Sequence, residues 1–174
     1  MRFLAPLAVL AFAGTLAAQQ PAPPAPPPQP PFGADSAAVM KVVHDLFTGM
    51  RTRDTTLMRA QFHPAATMRS AGWKPGAAGL QAVIEEDGVA DWLGGVAGAP
   101  ATLLLDERLG PPTVQVDGNL ANVWVYYEFY AGDRFSHCGV DLFTLGRTAE
   151  GWKVIFVADS RRRTGCAQNL PKGS

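Results

Sequence analysis

The fold is decided by residues 113–163, which read TVQVDGNLANVWVYYEFYAGDRFSHCGVDLFTLGRTAEGWKVIFVADSRRR. Val, Tyr, Phe and Trp are frequent in this stretch, and glycine-containing turns divide it at residues 117–119, 131–133 and 150–151. Glycine accepts the positive φ of a tight hairpin turn, while β-branched and aromatic residues favour strands. The pattern predicts an antiparallel meander, with sheet order following chain order.

Helices are predicted on the N-terminal side of this meander. Apolar residues recur at helical spacing from Asp35 to about Arg53, and Asp54 can cap a shorter helix that ends at His63-Pro64. The next segments predict a small hairpin, a short helix and a strand, at residues 67–70 with 80–85, 89–96 and 102–108. We therefore predict a single α+β domain over residues 35–166, in which a curved sheet wraps around the first helix.

The two ends of the chain read differently from this domain. Residues 1–18 have the layout of a secretory signal peptide, since Arg2 precedes an apolar run that small residues follow. A buried N-terminal helix is the alternative. Residues 19–34 are a proline-rich tether, which favours extended polyproline II, and residues 167–174 are predicted to be a flexible tail. We expect an exported protein, periplasmic or secreted, that does not associate with membranes after signal removal.

Composition excludes several kinds of partner. The 15 Lys and Arg residues balance 15 Asp and Glu residues, and Arg161-Arg162-Arg163 is the only basic run, so no nucleic acid partner is expected. The three histidines have no ligand spacing, and the sequence contains no phosphate-binding glycine loop and no nucleophile elbow. We therefore predict no metal and no cofactor.

The hairpin registers predict a polar cluster on one face of the sheet. If Tyr130 opposes Phe135 and Thr148 opposes Trp152, this face carries Trp124, Tyr126, Glu128, His137, Asp141, Asp159 and Arg161. Asp141 would then lie opposite Asp159. Two carboxylates that share a proton acquire one raised pKa, which suits a general acid or base.

Roles follow from this cluster. We predict that Asp141, Asp159 and His137 are catalytic, and that ligand contacts come from Trp124, Tyr126, Glu128, Arg161 and His63. The alternative is that these charges form ion pairs and hydrogen bonds that only hold the end of the sheet together.

Gly139 and the two cysteines leave alternatives open. Gly139 lies among bulky neighbours and either leaves a gap for a ligand or marks a strand bend. Cys138 and Cys166 either form a disulfide or remain free thiols. Simple pairing puts Cys138 opposite Arg162, and Thr164-Gly165 permits the chain to bend back.

Several of these segments resemble motifs of the nuclear transport factor two-like superfamily, in its SnoaL-like, lumazine-binding-related branch. They are Asp54 with Phe62-His63-Pro64, the turn at residues 116–121, and residues 129–141 with Gly151-Trp152-Lys153-Val154. The resemblance covers the whole domain and implies a cone-shaped barrel with a ligand-sized pocket. It also implies a homodimer formed through the convex face of the sheet. No catalytic position is carried over, because neither the base nor the oxyanion-stabilising group of such enzymes aligns with one residue here.

Three hypotheses for function follow. The first is an exported protein that binds a small apolar or aromatic molecule in a hydrophobic cone pocket. The second is an enzyme of isomerase, dehydratase or cyclase type that uses a pocket carboxylate as general base. The third is a dimeric interaction module without a ligand. A cavity containing the carboxylates favours the first two, and a cone filled by side chains favours the third.

Overall fold

The computed structural model describes residues 35–173, which form three helices and seven strands. The helices are α1 (Ser36–Thr52), α2 (Thr55–Gln61) and α3 (Val89–Gly98). The strands are β1 (Phe62–Gly76), β2 (Gly79–Asp87), β3 (Leu105–Leu109), β4 (Thr113–Asp117), β5 (Leu120–Ala131), β6 (Arg134–Thr148) and β7 (Gly151–Ser160). The predicted signal peptide and tether lie outside the described residues. Within the described part of the chain, no helix is long and apolar enough to span a membrane.

The predicted α+β class and curved sheet are confirmed, with one difference in topology. The sheet order is β2-β1-β7-β6-β5-β3, and β4 also pairs with β5. Strands β3 to β7 pair antiparallel, as expected of the meander. β1 pairs with β7 in parallel, so the sheet is mixed and its order does not follow the chain at β1 and β2. The reason is that α3 carries the chain from β2 to the opposite edge before the meander begins, so the last strand returns to the first hairpin.

Helix α1 supplies much of the core through the side chains that its spacing predicted. Val39, Val43, Leu46, Phe47 and Met50 are buried and pack in one cluster with apolar residues of β5, β6 and β7. The ring of Phe47 lies edge-on to that of Phe143 on β6, with 5.9 Å between centroids. The concave face of the sheet is therefore covered by this helix.

The predicted turns and the second helix cap are present. Gly118, Gly132 and Gly151 have φ values of 59°, 65° and 104°, which are conformations that favour glycine. The backbone N–H of Leu57 donates to Asp54 Oδ1 at 2.8 Å, so Asp54 caps α2 as predicted.

A β-bulge in the β5–β6 hairpin changes which side chains share a face. The hairpin starts with Tyr130 opposite Phe135, as predicted, but Ser136 is an extra residue and Phe129 pairs with His137. Beyond the bulge, Val125 rather than Trp124 pairs with Asp141. A shift of one residue moves a strand's side chains to the other face. The prediction that Trp124, Tyr126 and Glu128 share a face with Asp141 is therefore wrong.

A second bulge restores the predicted register of β6 and β7. This hairpin starts with Thr148 opposite Gly151 rather than Trp152. Ile155 is then an extra residue, because Leu145 pairs with Val154 and Thr144 with Phe156. Beyond it, Asp141 lies opposite Asp159, as predicted.

Gly139 allows β7 to approach β6 closely. A Cβ at this position would lie 1.7 Å from the backbone oxygen of Ser160. The regular ladder ends at Asp141 and Asp159 and is followed by a single bridge between Cys138 and Arg162. The Ser160 carbonyl therefore fills the space in front of Gly139, so the gap for a ligand is absent and the glycine permits a close backbone contact instead.

The C-terminal segment lies on the outer, convex face of the sheet. Cys138 and Cys166 form a disulfide, which the sequence left open. The backbone N–H of Ala167 donates to Tyr126 Oη at 3.0 Å, and Lys172 pairs with Asp133 at 2.8 Å. We call residues 166–172 the C-terminal strap. Its residues 167–172 belong to the segment predicted to be a flexible tail, and the structure places them against the sheet.

Candidate functional site

The concave face of the sheet and the helices enclose a cavity of about 60 Å³. Its walls are mostly apolar and come from α1, β1, α3, β6 and β7, through Leu46, Phe47, Phe62, Met68, Trp92, Phe143 and Val157. Its polar lining consists of Glu107, Tyr127, His137, Asp141, Asp159 and Arg161. The cone is therefore not filled by side chains.

Two carboxyl groups, Glu107 on β3 and Asp141 on β6, line this cavity within reach of a mutual hydrogen bond. Ionised carboxylates only accept hydrogen bonds, so a bond between them requires that they share one proton. Burial raises the pKa of Glu107 to about 7. Burial and the adjacent Glu107 also raise the pKa of Asp141 well above its usual range. We call Glu107 and Asp141 the acid pair.

One buried oxygen of the acid pair has no hydrogen-bond donor among residues 35–173. Asp141 is 4% exposed. No N–H or O–H group in the described part of the chain donates to Asp141 Oδ2. Buried polar atoms are nearly always hydrogen-bonded, so this oxygen is an acceptor that a bound molecule or water could satisfy.

Asp159, which lies opposite Asp141, is well supplied with donors. Arg161 Nε donates to its Oδ2 at 2.6 Å and Tyr127 Oη donates to the same oxygen at 3.2 Å. Ser70 Oγ contacts Asp159 Oδ1 and also lies 3.0 Å from Asp87 Oδ2, so its single proton serves one carboxylate at a time. The side chain of Arg161 is 52% exposed and therefore reaches the cavity from solvent. Asp159 is thus already paired within the protein.

His137 joins the cluster as an uncharged ring. It packs against Tyr127 and Phe129, with ring centroids 5.6 Å and 5.3 Å away, and its Nδ1 lies 3.0 Å from Ser136 Oγ. Burial, together with the nearby charge of Arg161, lowers the pKa of His137 to about 4. Near neutral pH this histidine can exchange hydrogen bonds with a ligand but contributes no positive charge.

The structure brings together only part of the predicted site. His137, Asp141, Asp159 and Arg161 line one cavity. By contrast, Tyr126 and Glu128 face the strap and Trp124 is 57% exposed on the outer face. His63 is the second residue of β1 and does not line the cavity. Its Nδ1 accepts a hydrogen bond from the backbone N–H of Ala65 at 3.1 Å.

Sequence reasoning missed two polar residues that line the cavity, Tyr127 and Glu107. Tyr127 was missed because no sequence signal marks Ser136 as a bulge. Its hydroxyl lies 3.1 Å from the Ser160 carbonyl oxygen, and burial with the surrounding carboxylates raises the pKa of Tyr127, so it remains a donor. Glu107 could have been found from strand alternation in Asp106-Glu107-Arg108, but only once β3 is known to pair with β5.

The chemistry available to this cluster is proton transfer and hydrogen bonding. The acid pair can give up or take a proton near neutral pH, while Tyr127 and His137 can donate to or accept from a ligand. In residues 35–173, no group of three or more His, Cys, Asp or Glu side chains is arranged to hold a metal ion.

Comparison with known proteins agrees with this architecture. Residues 34–157 match the family described as "Putative lumazine-binding". No curated protein matches the chain significantly. Among solved structures, a nuclear transport factor two-like protein of unknown function from Pseudomonas putida KT2440 is similar, with a TM-score of 0.57, 19% identity, and coverage of 80% of this chain and 94% of that chain.

Two further solved structures are similar at lower identity, and they show the fold alone. A nuclear transport factor two-like protein of unknown function from Shewanella baltica OS155 has a TM-score of 0.57 and 14% identity, covering 75% of this chain and 95% of that chain. A protein of unknown function with a cystatin-like fold from Nostoc punctiforme PCC 73102 has a TM-score of 0.57 and 11% identity, covering 76% and 94%. Because the family match extends over more than half of the residues, the chain belongs to the family described as lumazine-binding, within the nuclear transport factor two-like superfamily.

Proposed function

We propose that the cavity binds a small, partly apolar molecule whose polar group meets the acid pair. The observation that carries this proposal is Asp141 Oδ2, a buried oxygen without a donor at the end of a cavity with aromatic walls. An unsatisfied buried acceptor costs about 1 to 3 kcal/mol, and a ligand that donates to it recovers part of that cost.

The size of the cavity limits the ligand. A cavity of about 60 Å³ is smaller than the ~150 Å³ that accommodates benzene in an engineered protein core. A molecule of more than a few non-hydrogen atoms must therefore project past the half-exposed Arg161 or displace a wall side chain such as Trp92.

A second candidate function is general acid-base catalysis of isomerase, dehydratase or cyclase type. It is favoured by Glu107, because a carboxyl with a pKa of about 7 can both donate and accept a proton near neutral pH. In this second candidate function Glu107 and Asp141 are the proton-transfer groups, and Asp159 anchors Arg161 and Tyr127. The interaction module without a ligand is less well supported, because the cavity contains these carboxylates.

Export is also part of the proposal. Residues 1–18 have the layout of a signal peptide, and the Cys138–Cys166 disulfide is of the kind that persists in oxidising compartments. The mass of the protein recovered from a secreting host measures this directly, and a mature chain that still contains Met1 would contradict it.

Binding is tested by screening a fragment library by ligand-observed NMR on the wild type and on Asp141→Asn. The expected result is a set of fragments whose affinity falls at least about tenfold in Asp141→Asn, because the amide replaces one acceptor oxygen with an NH2 group that can only donate. Asp117→Asn makes the same chemical change at an exposed site outside the cavity and should bind every fragment as the wild type does. A screen in which no fragment depends on Asp141 would contradict the proposal.

A further inference from the structure

The charges that face the cavity do not balance. The carboxyl groups are Glu107 on β3, Asp141 on β6 and Asp159 on β7, and the cation is Arg161, just after β7. His137 on β6 and Tyr127 on β5 are uncharged. Ser70 and Asp87 lie behind Asp159. Three carboxyl groups therefore face a single cation. Arg161 is already committed, since its Nε donates to Asp159 Oδ2 at 2.6 Å.

The acid pair consequently has no cation of its own among the described residues that line the cavity. With one proton shared, the pair keeps one negative charge, and a buried charge without a partner is costly. A neutral donor can satisfy Asp141 Oδ2 but leaves that charge unbalanced. An anion would add to it.

The walls around the pair also suit a cation. Phe47, Phe62, Trp92 and Phe143 line the cavity, and the rings of Phe62 and Trp92 meet edge to face with centroids 6.2 Å apart. Aromatic faces attract ammonium and guanidinium groups, most strongly where water is excluded. An alkylammonium group has three donors, enough to reach both members of the acid pair.

We infer that the cavity takes a small organic cation, an ammonium or amidinium group on a short apolar body, which Asp141 and Glu107 hold between aromatic walls. The inference rests on the binding function proposed above and adds the charge class of the ligand to it.

Binding of such a cation should depend on pH in a defined direction. An alkylamine has a pKa near the 10.4 of lysine, so it stays charged between about pH 5.5 and pH 8. Over the same range the acid pair passes through the pKa of Glu107, about 7, and gains negative charge as pH rises. His137 stays uncharged throughout. Burial alone would lower the pKa of Arg161, but its hydrogen bond to Asp159 outweighs burial and raises that pKa, so Arg161 stays charged. The affinity for the cation should therefore rise with pH.

The test compares three probes of equal chain length: n-butylamine, n-butanol and butyrate. Each is titrated into the 15N-labelled protein, and amide shifts around Asp141 and Phe143 report binding. At about pH 8 the amine should bind at least roughly tenfold more tightly than the alcohol, a difference of about 1.4 kcal/mol, and butyrate should give no saturable shift. At about pH 5.5 the affinity for the amine should fall at least roughly threefold, while that for the alcohol stays constant.

Variants assign the effect to the acid pair. Glu107→Gln combined with Asp141→Asn removes both carboxyls and should reduce the affinity for the amine to that for the alcohol, whereas either single change leaves one carboxyl that can carry the charge. Asp117→Asn removes the same charge from an exposed strand end and should leave all three affinities unchanged.

Two unfavourable outcomes are distinguishable. If butanol or butyrate binds at least as tightly as the amine, and that binding depends on Asp141, the cation class is wrong while the binding function stands. If no probe gives a saturable shift that depends on Asp141 or Glu107, both the inference and the proposed function are wrong.

Discussion

Two faces of the same sheet bury carboxyl groups, and they treat them in opposite ways. On the outer face Glu128 is 0% exposed, yet it accepts from Tyr126 Oη at 3.1 Å and from the backbone N–H groups of Asn169 and Leu170 at 3.3 Å and 3.2 Å. On the concave face Asp141 is 4% exposed, and its Oδ2 has no hydrogen-bond donor among the described residues. Burial alone therefore does not distinguish the two acids. The number of hydrogen-bond donors that reach each carboxyl group does.

The outer face also supplies matching positive charge. Asp106 accepts from Arg51 at 3.0 Å and from Arg108 at 2.8 Å, and Arg108 packs on the ring of Tyr130 at 3.6 Å. Burial alone would raise the pKa of Asp106, but the hydrogen bonds from Arg108 and Arg51 outweigh it and hold the pKa below its usual range. This outer cluster has the properties of a structural network. In the acid pair, by contrast, Asp141 Oδ2 has no donor among the described residues, and the cation that lines the cavity, Arg161, is paired with Asp159.

The largest expected effect is on the well-supplied face. Glu128→Ala leaves two backbone N–H groups and two tyrosine hydroxyls without their acceptor and leaves Arg108 with less opposing charge. We expect the free energy of unfolding in urea to fall by about 3 to 5 kcal/mol. Asp141→Ala removes a carboxyl that has few donors and should cost much less. Equal losses in the two variants would remove the distinction between the faces.

A second large effect concerns the disulfide that anchors the strap. Cys138 and Cys166 are 28 residues apart, and opening a loop of that length should cost about 3.5 kcal/mol through the entropy of the unfolded chain. In Cys138→Ala with Cys166→Ala, hydrogen exchange should accelerate at the amides of Asn169 and Leu170, which donate to Glu128. Protection of those amides equal to that in the wild type would show that the strap is held without the disulfide.

The smallest expected effect is the pH dependence that the acid pair gives to stability. The folded-state pKa of Glu107, about 7, and that of Asp141 lie above their unfolded values, so the native state binds more protons than the unfolded state above about pH 4, and stability is lost progressively as pH rises from about 4 through about 7. His137 acts in the opposite direction between about pH 4 and 6.5, because its pKa is lowered.

His137 is present in both the wild type and Asp141→Asn, so its contribution drops out of the difference between their unfolding free energies. This difference should be near zero at about pH 4 and should favour the variant by about 1 to 3 kcal/mol at about pH 8. Urea denaturation over a pH series measures it, with Asp117→Asn as the variant that should show no such trend. A difference that falls as pH rises would mean that the pair is satisfied when ionised.

Much of the fold was predictable because it depends on local signals. The helix over residues 36–52, the cap at Asp54 and the turns at Gly118, Gly132 and Gly151 each follow from side-chain spacing or backbone preference. The parallel pairing of β1 with β7 was not predictable in this way, because it depends on which edge of the sheet α3 leads to.

The site was predictable only in part, because two bulges decide it. The bulge at Ile155 restored a register that began one residue out, and so Asp141 and Asp159 were correctly placed opposite each other. The bulge at Ser136 had the reverse effect and moved Tyr126 and Glu128 away from the cavity. Bulges respond to packing on both faces of a sheet, which a single strand sequence does not contain.

The close approach at Gly139 has a consequence for how related sequences diverge. A larger residue there would meet the Ser160 carbonyl and the ring of Tyr127, at 1.7 Å and 2.9 Å from its Cβ. Because the closer contact is with a backbone oxygen, no substitution at residue 160 removes it, and a larger residue at position 139 requires β7 to move away from β6. Within residues 137–141, His137 and Asp141 line the cavity on one face of the sheet, while Cys138 holds the strap on the other face. In a distant homologue, these five positions should therefore indicate whether the cavity and the strap are both retained.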